Sequence, residues 1–287
     1  MDRLDELESR SLYVLREARA QFRKLALLWS IGKDSTTLVW LARKAFLGTV
    51  PFPVLHIDTS HKFPEIYEFR DRWAREFGLT LLVAKNDVAL AAGMGPATVL
   101  PADLSAVALA KAETSAKAGD KLACCTALKT DALKQAIRAH GFEAILLGIR
   151  RDEHGIRAKE RYFSPRDEDF RWDYKNQPPE LWDQFRVTGD DQTHVRVHPL
   201  LHWTELDVWR YVQREKMPIC PLYFARNGKR FRSIGCMPCC APVDSTADTV
   251  DKIVEELRAT TTAERAGRAQ DKESAYTMQK LRALGYM

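Results

Sequence analysis

At 287 residues the chain exceeds the roughly 100 to 200 residues of a usual single domain, so a large core with an appended region is expected. Its 45% hydrophobic and 29% charged residues, with 14 Gly and 13 Pro scattered along the chain, exclude collagen-like, coiled-coil and wholly disordered classes. A net charge of +5 suits anions, phosphate-bearing small molecules as well as nucleic acid. No apolar run reaches the roughly 18 residues of a membrane span, and Met1-Asp2-Arg3-Leu4-Asp5-Glu6 is no signal peptide, so a cytoplasmic protein without membrane contact is expected.

Leu4, Leu7, Leu12, Leu15, Ala18 and Phe22 recur at helical spacing and predict an amphipathic leading helix over 4–23. The apolar run 25–29 then predicts a strand, Ser30-Ile31-Gly32-Lys33-Asp34-Ser35 a turn, and the spacing of Leu38, Val39, Leu41 and Ala42 a second helix. The grammar repeats with a strand over 52–58, a helix over 64–77 and a strand over 80–83. Residues 93–120 read as an irregular insertion with a short helix near 104–116. A helix over 127–140 and a buried strand over 144–148 follow. Beyond Arg150 the chain turns polar and rich in Trp and Pro, with helices over 204–215, 250–258 and 274–284. Alternating strands and helices imply an α/β fold with a doubly wound, mostly parallel sheet over 1–160, and an α-rich, irregular substrate or partner region over 161–287.

In such sheets ligands bind beyond the carboxyl ends of the strands, where 30–35, 58–62 and 148–157 all fall. The first turn offers helix N-terminal N–H groups, a hydroxyl at each end and Lys33, an inventory that holds polyphosphate; the plainer alternative is an ordinary capped helix start. Arg150, Arg151 and Arg157 join Lys33 as candidate phosphate partners, although any one arginine could equally be a solvated surface charge. His56, His198 and His202 read as structural. Of six cysteines, Cys124-Cys125 and Cys236, Cys239 and Cys240 form two tight groups, which in a cytosolic chain point to metal or redox chemistry; Cys220 reads as buried and structural.

The turn is not a Walker A loop. It resembles the Ser-Gly-Gly-x-Asp-Ser pyrophosphate loop of ATP pyrophosphatases that adenylate their substrates, with Ile31 in place of the first glycine. With His56-Ile57-Asp58-Thr59 and Gly148-Ile149-Arg150-Arg151-Asp152-Glu153, the chain is similar to the small, catalytic subunit of bacterial sulfate adenylyltransferase. The likeness runs on through Arg157-Ala158-Lys159-Glu160-Arg161, Pro179-Glu180-Leu181-Trp182, Trp203-Thr204-Glu205 and Glu264-Arg265. It implies a Rossmann-like pyrophosphate-loop ATPase in which 1–160 holds ATP with Mg2+. The implied cofactor contacts are Ser30, Ile31, Gly32, Lys33, Asp34, Ser35, Asp58, Thr59, Gly148 and Arg157, and the implied catalytic groups Lys33, Asp34, Arg150 and Arg151.

The cysteines depart from that subunit. Cys124-Cys125 with Cys236-Met237-Pro238-Cys239 resembles the set that holds a 4Fe-4S cluster in adenylylsulfate reductases, zinc or a redox disulfide being the alternatives. Those reductases also need a nucleophilic cysteine near the C-terminus; none follows Cys240, so reductase activity is not expected. Cys240 itself reads as a sulfur acceptor or an inert neighbour. The link over 223–231 is shorter than the adenylyltransferase insertion that serves its GTPase partner, and its basic residues Arg226, Lys229, Arg230 and Arg232 suit either a polyanion or the wall of the ATP site. An adenylating fold with a reductase-type cluster resembles the ATP pyrophosphatases of single-strand DNA phosphorothioation systems. The leading expectation is therefore adenylation of a DNA backbone phosphate for sulfur incorporation, with a cysteine desulfurase, other sulfur-modification proteins and DNA as partners. The alternative is a sulfate adenylyltransferase small subunit working with a GTPase large subunit; a nucleotide-sensing module without turnover is a third.

Overall fold

The computed structural model describes residues 2–95, 123–153, 155–185, 194–261 and 264, with Ile156 described in its backbone alone. The expected helices near 104–116 and over 274–284 lie outside the described residues.

Six strands form the central sheet: β1 (Leu25–Leu28), β2 (Val54–Ile57), β3 (Leu81–Ala84), β4 (Ala144–Leu146), β5 (Phe163–Arg166) and β8 (His194–Val197). Their order is β3-β2-β1-β4-β8-β5, parallel throughout except that β5 runs antiparallel to β8. Two short hairpins stand apart, β6 (Glu180–Leu181) with β7 (Gln184–Phe185) and β9 (Lys229–Arg230) with β10 (Val243–Asp244). Strand order reverses between β1 and β4, the place where an open α/β sheet leaves a crevice for ligands.

Period-2 alternation sends the two faces of the strands into different cores. Leu25, Leu27, Val54, Ala144 and Leu146 join one buried cluster, whereas Ala26, Leu28, Leu55, Ile145 and Leu147 join another. The first is covered by α1 (Arg3–Gln21), α2 (Lys33–Ala45) and α3 (Pro64–Glu76). The short α4 (Asp87–Ala91) follows β3, and α5 (Ala132–His140) lays Leu133, Ala136 and Ile137 on the second face. Helices α6 (Glu205–Glu215) and α7 (Val250–Ala259) return to the first cluster through Trp209 and Ile253. Thr204 caps α6 through a reciprocal capping box with Asp207, which fixes where that helix starts.

Residues beyond 160 supply β5 and β8 to the same sheet, and Trp203, Trp209 and Leu257 to the same core, so the sheet does not divide at 160/161. No helix among the described residues is long and apolar enough to cross a membrane.

Candidate active site

The turn between β1 and α2 is held from below. Ile31 sits at φ 69, a left-handed conformation costing a β-branched residue on the order of 1–3 kcal/mol. Its side chain is fully buried in the core, and that burial offsets the strain. The backbone thus keeps a glycine-like conformation where the resembled loop has glycine. Ser30 Oγ lies 3.1 Å from Ser35 Oγ, Ser35 Oγ donates to the Gly32 carbonyl at 3.1 Å, and the Lys33 N–H donates to the Tyr223 hydroxyl at 2.9 Å. Gly148, just past β4, abuts the start of α2. A Cβ there would stand 2.9 Å from the Ser35 backbone nitrogen and 3.0 Å from the Asp34 carbonyl carbon, so only glycine lets the two segments meet.

This meeting forms the floor of a cavity of about 150 Å³. Its apolar lining is Leu28, Ile57, Leu147 and Ile149 at the strand ends and Ile234. Its polar lining includes Ser30, Gly32, Lys33, Asp34, Ser35 and Arg157. A flat apolar group beside a cluster of cations at a helix N-terminus is the complement of an adenine nucleotide.

The cations are already paired. Lys33 Nζ lies 3.0 Å from Asp34 Oδ2 and also contacts Glu264. Arg150 meets Asp34 at 2.7 Å, Asp152 at 2.9 Å and Glu264. Burial disfavours both charges, but Asp34 and Glu264 outweigh it and hold the Lys33 ammonium and the Arg150 guanidinium above their ordinary ranges. Asp152 is raised as well, first by burial, which for an acid disfavours the charged form, and its carboxylate accepts the Glu205 N–H at 2.7 Å at the start of α6. Arg157 pairs with Glu153.

A second, smaller cavity adjoins the first. Cys124, Cys125, Cys236 and Cys239, drawn from segments more than a hundred residues apart, line it with Thr59, Leu128 and Lys129. Cys124 and Cys125 lead into a π-helical turn, Thr126–Asp131, that places Lys129 in the walls of both cavities. Cys236 is tied to the end of β2, with Thr59 Oγ1 3.1 Å from its Sγ, a β-bridge to Lys62, and the Met237 N–H donating to the His61 carbonyl at 2.7 Å. Burial pushes the Cys124 thiol up to about 12 and the Cys239 thiol up to about 11. Among the described residues, no three or more His, Cys, Asp or Glu side chains stand together as a ligand set for one metal ion.

The expected site residues thus separate. Ser30, Gly32, Lys33, Asp34, Ser35, Gly148 and Arg157 line the first cavity, and Arg150 stands behind Lys33 and Asp34. Ile31 turns into the core instead. Asp58 is occupied elsewhere, accepting from the Ser60 N–H and the Tyr67 hydroxyl at 2.8 Å and pairing with Lys85 at 3.0 Å. Thr59 faces the cysteines. Arg151 points to His202 and donates to the Glu160 carbonyl at 2.8 Å, away from the cavity. Sequence reasoning did not single out Tyr223, Lys62, Lys129 or Glu264 for this cavity. Only Glu264 carried a signal, inside the matched pair Glu264-Arg265.

The family described as the phosphoadenosine phosphosulfate reductase domain matches residues 24–242. The "Sulfate adenylyltransferase subunit 2" of Serratia proteamaculans is 41% identical, over 99% of this chain and 97% of that relative. The protein of the same name from Rhodopseudomonas palustris is 42% identical, over 99% and 89%. Among solved structures, Candida glabrata FMN adenylyltransferase in complex with ATP shares the fold, with a TM-score of 0.57 at 16% identity over 94% of this chain and 89% of that one. Fold and full-length relatives make the chain an ATP-using enzyme of adenylyl transfer. Within that class it belongs to the phosphoadenosine phosphosulfate reductase domain family. The relatives correct the expectation of DNA phosphorothioation: at about 41% identity end to end they carry the sulfate adenylyltransferase name instead.

Proposed function

We propose that the chain is the catalytic subunit of a sulfate adenylyltransferase, joining ATP and sulfate into adenylyl sulfate and pyrophosphate. The observation that carries this is the end-to-end relationship to proteins of that name, which spans both the phosphate-binding turn and the cavity behind it. The apolar lining takes the adenine, and the turn with Lys33 takes the polyphosphate together with its Mg2+. A sulfate oxygen attacks the α-phosphorus as the bond to the bridging oxygen of the β-phosphate breaks. Lys33 and Arg157, with Arg150 behind them, hold the negative charge that shifts onto departing pyrophosphate; such charge placed in advance is where this chemistry gains most. The partner in this reading is the GTPase large subunit that the family resemblance implies; the relatives' name, "subunit 2", points only to a second subunit.

The test is sulfate-dependent exchange of labelled pyrophosphate into ATP, with the chain alone and with the large subunit from the same source. Exchange that requires sulfate supports the reading. Exchange that ignores sulfate, or none with the partner present, sinks it.

For the second cavity the proposal is a 4Fe-4S cluster held by Cys124, Cys125, Cys236 and Cys239. The donor set fits, since four buried thiols share one cavity and soft thiolates suit iron–sulfur clusters. When bound, the cluster supplies an electron-carrying group. The chain's own Lys129 offsets its negative charge from the wall shared with the nucleotide cavity. Iron and acid-labile sulfide in protein purified without oxygen, both lost in Cys124→Ser, are the expected result; equal metal in that variant contradicts it.

A further inference from the structure

Among the described acids at the nucleotide cavity, Asp34, Glu153 and Glu264, only Glu264 comes from outside its strand-end turns. Asp34 lies in the first turn of α2, and Asp152 is fastened by the Glu205 N–H at the start of α6. Glu264 arrives from beyond the end of α7 at Ala259 and is buried, its carboxylate shared between Lys33 and Arg150. Those two cations thus already face three carboxylates, Asp34, Asp152 and Glu264, while Glu153 in the same cavity wall is paired with Arg157. Polyphosphate added to this arrangement would place further negative charge on a pair that is already over-compensated, in a space shielded from water. A carboxylate spanning an ammonium and a guanidinium also presents the oxygens that a phosphoryl group would present there.

We propose that Glu264 is a built-in stand-in for phosphate, which keeps Lys33 and Arg150 charged and correctly placed in the empty enzyme and leaves when polyphosphate enters. The proposal rests on the reading of this cavity as the nucleotide site. Its consequence is an exchange of anions. The cations are never left bare and buried, a costly state, and the ligand's apparent affinity is lowered by the work of expelling Glu264.

The probe is inorganic pyrophosphate, measured by calorimetry with and without Mg2+ on the full chain. Glu264→Gln keeps the shape but loses the charge, and is expected to bind pyrophosphate about tenfold tighter than wild type while melting lower in its absence. Glu264→Asp, with a shorter reach, is expected to fall between the two and serves if the first variant does not fold. In wild type, hydrogen exchange in the peptide containing Glu264 is expected to speed up when pyrophosphate is added. Equal or weaker binding by both variants, or slower exchange in that peptide, overturns the proposal. A wild type that binds neither ATP nor pyrophosphate instead removes the nucleotide reading itself.

Discussion

The two neighbouring cavities solve burial in opposite ways. In the cavity at the β1–α2 turn the buried cations are kept charged, because Asp34 and Glu264 face both Lys33 and Arg150 and Asp152 faces Arg150. In the cysteine cavity no comparable counter-charge outweighs burial, and the Cys124 and Cys239 thiols are pushed up to about 12 and about 11. The first site is ready to trade one anion for another without moving protons. The second has to shed protons before it can hold a metal, since thiolates and not thiols are ligands. The contrast lies in what was arranged before the ligand arrived.

The sharpest way to break the comparison is Lys33→Ala. It should lower kcat/KM for ATP by about 100- to 1000-fold, the range for removing one pre-placed charge partner, while iron and sulfide stay at wild-type levels; loss of both together would mean that the cavities are one unit. Gly148→Ala comes next. Its Cβ has backbone on the other side, so repacking should cost about 1–3 kcal/mol, seen as a lower Tm, and raise KM for ATP as the turn is pushed off β4. An unchanged Tm would show that the two segments are not in fixed contact.

His56 tests the strand whose end reaches both cavities. Its Nδ1–H donates to the Trp29 carbonyl at 2.8 Å, and burial, with the nearby Lys62 charge, pushes its pKa down to about 3. The unfolded chain takes up this proton near pH 6.5 and the folded chain does not. Folding stability should therefore fall as pH drops from 6.5 towards 3, at up to about 1.4 kcal/mol per pH unit from this residue. Urea midpoints at pH 6.5, 5.5 and 4.5 should decline less steeply in His56→Gln, and an identical slope would refute the assignment. The smallest effect is expected for Tyr223→Phe, which removes the acceptor of the Lys33 N–H at a cost of about 1 kcal/mol, read as a KM for ATP raised several-fold with kcat little changed.

Strands β1, β2, β3 and β4 were legible because each is a short apolar run followed by a turn, and the turn between β1 and α2 because its residues are contiguous. β8 was not. His194-Val195-Arg196-Val197 is buried at every position, yet half of it is polar, so the rule that a buried parallel strand reads as an apolar run fails there. Asp58 and Thr59 end a strand, and sequence does not tell which way each side chain leaves it: Asp58 accepts from Ser60 and Tyr67, and Thr59 faces the cysteines. Tyr223 and Glu264 reach the site through tertiary packing from the far side of the chain, for which local spacing carries no signal. The cysteines were legible as two groups, and their convergence on one cavity follows from the bridge between Lys62 and Cys236.

The sheet order carries a consequence for biosynthesis. β5 leaves the ribosome before β8, yet its only strand partner among the described residues is β8, which must first pair with β4. The outer edge of β4 stays unpaired while the stretch from Leu146 to His194 is made, several seconds at roughly 5 to 20 residues per second. During that interval the nascent chain presents an open strand edge of the kind that recruits other chains. Of the six strands of the central sheet, the last to be synthesised is thus the one that joins β5 to the rest.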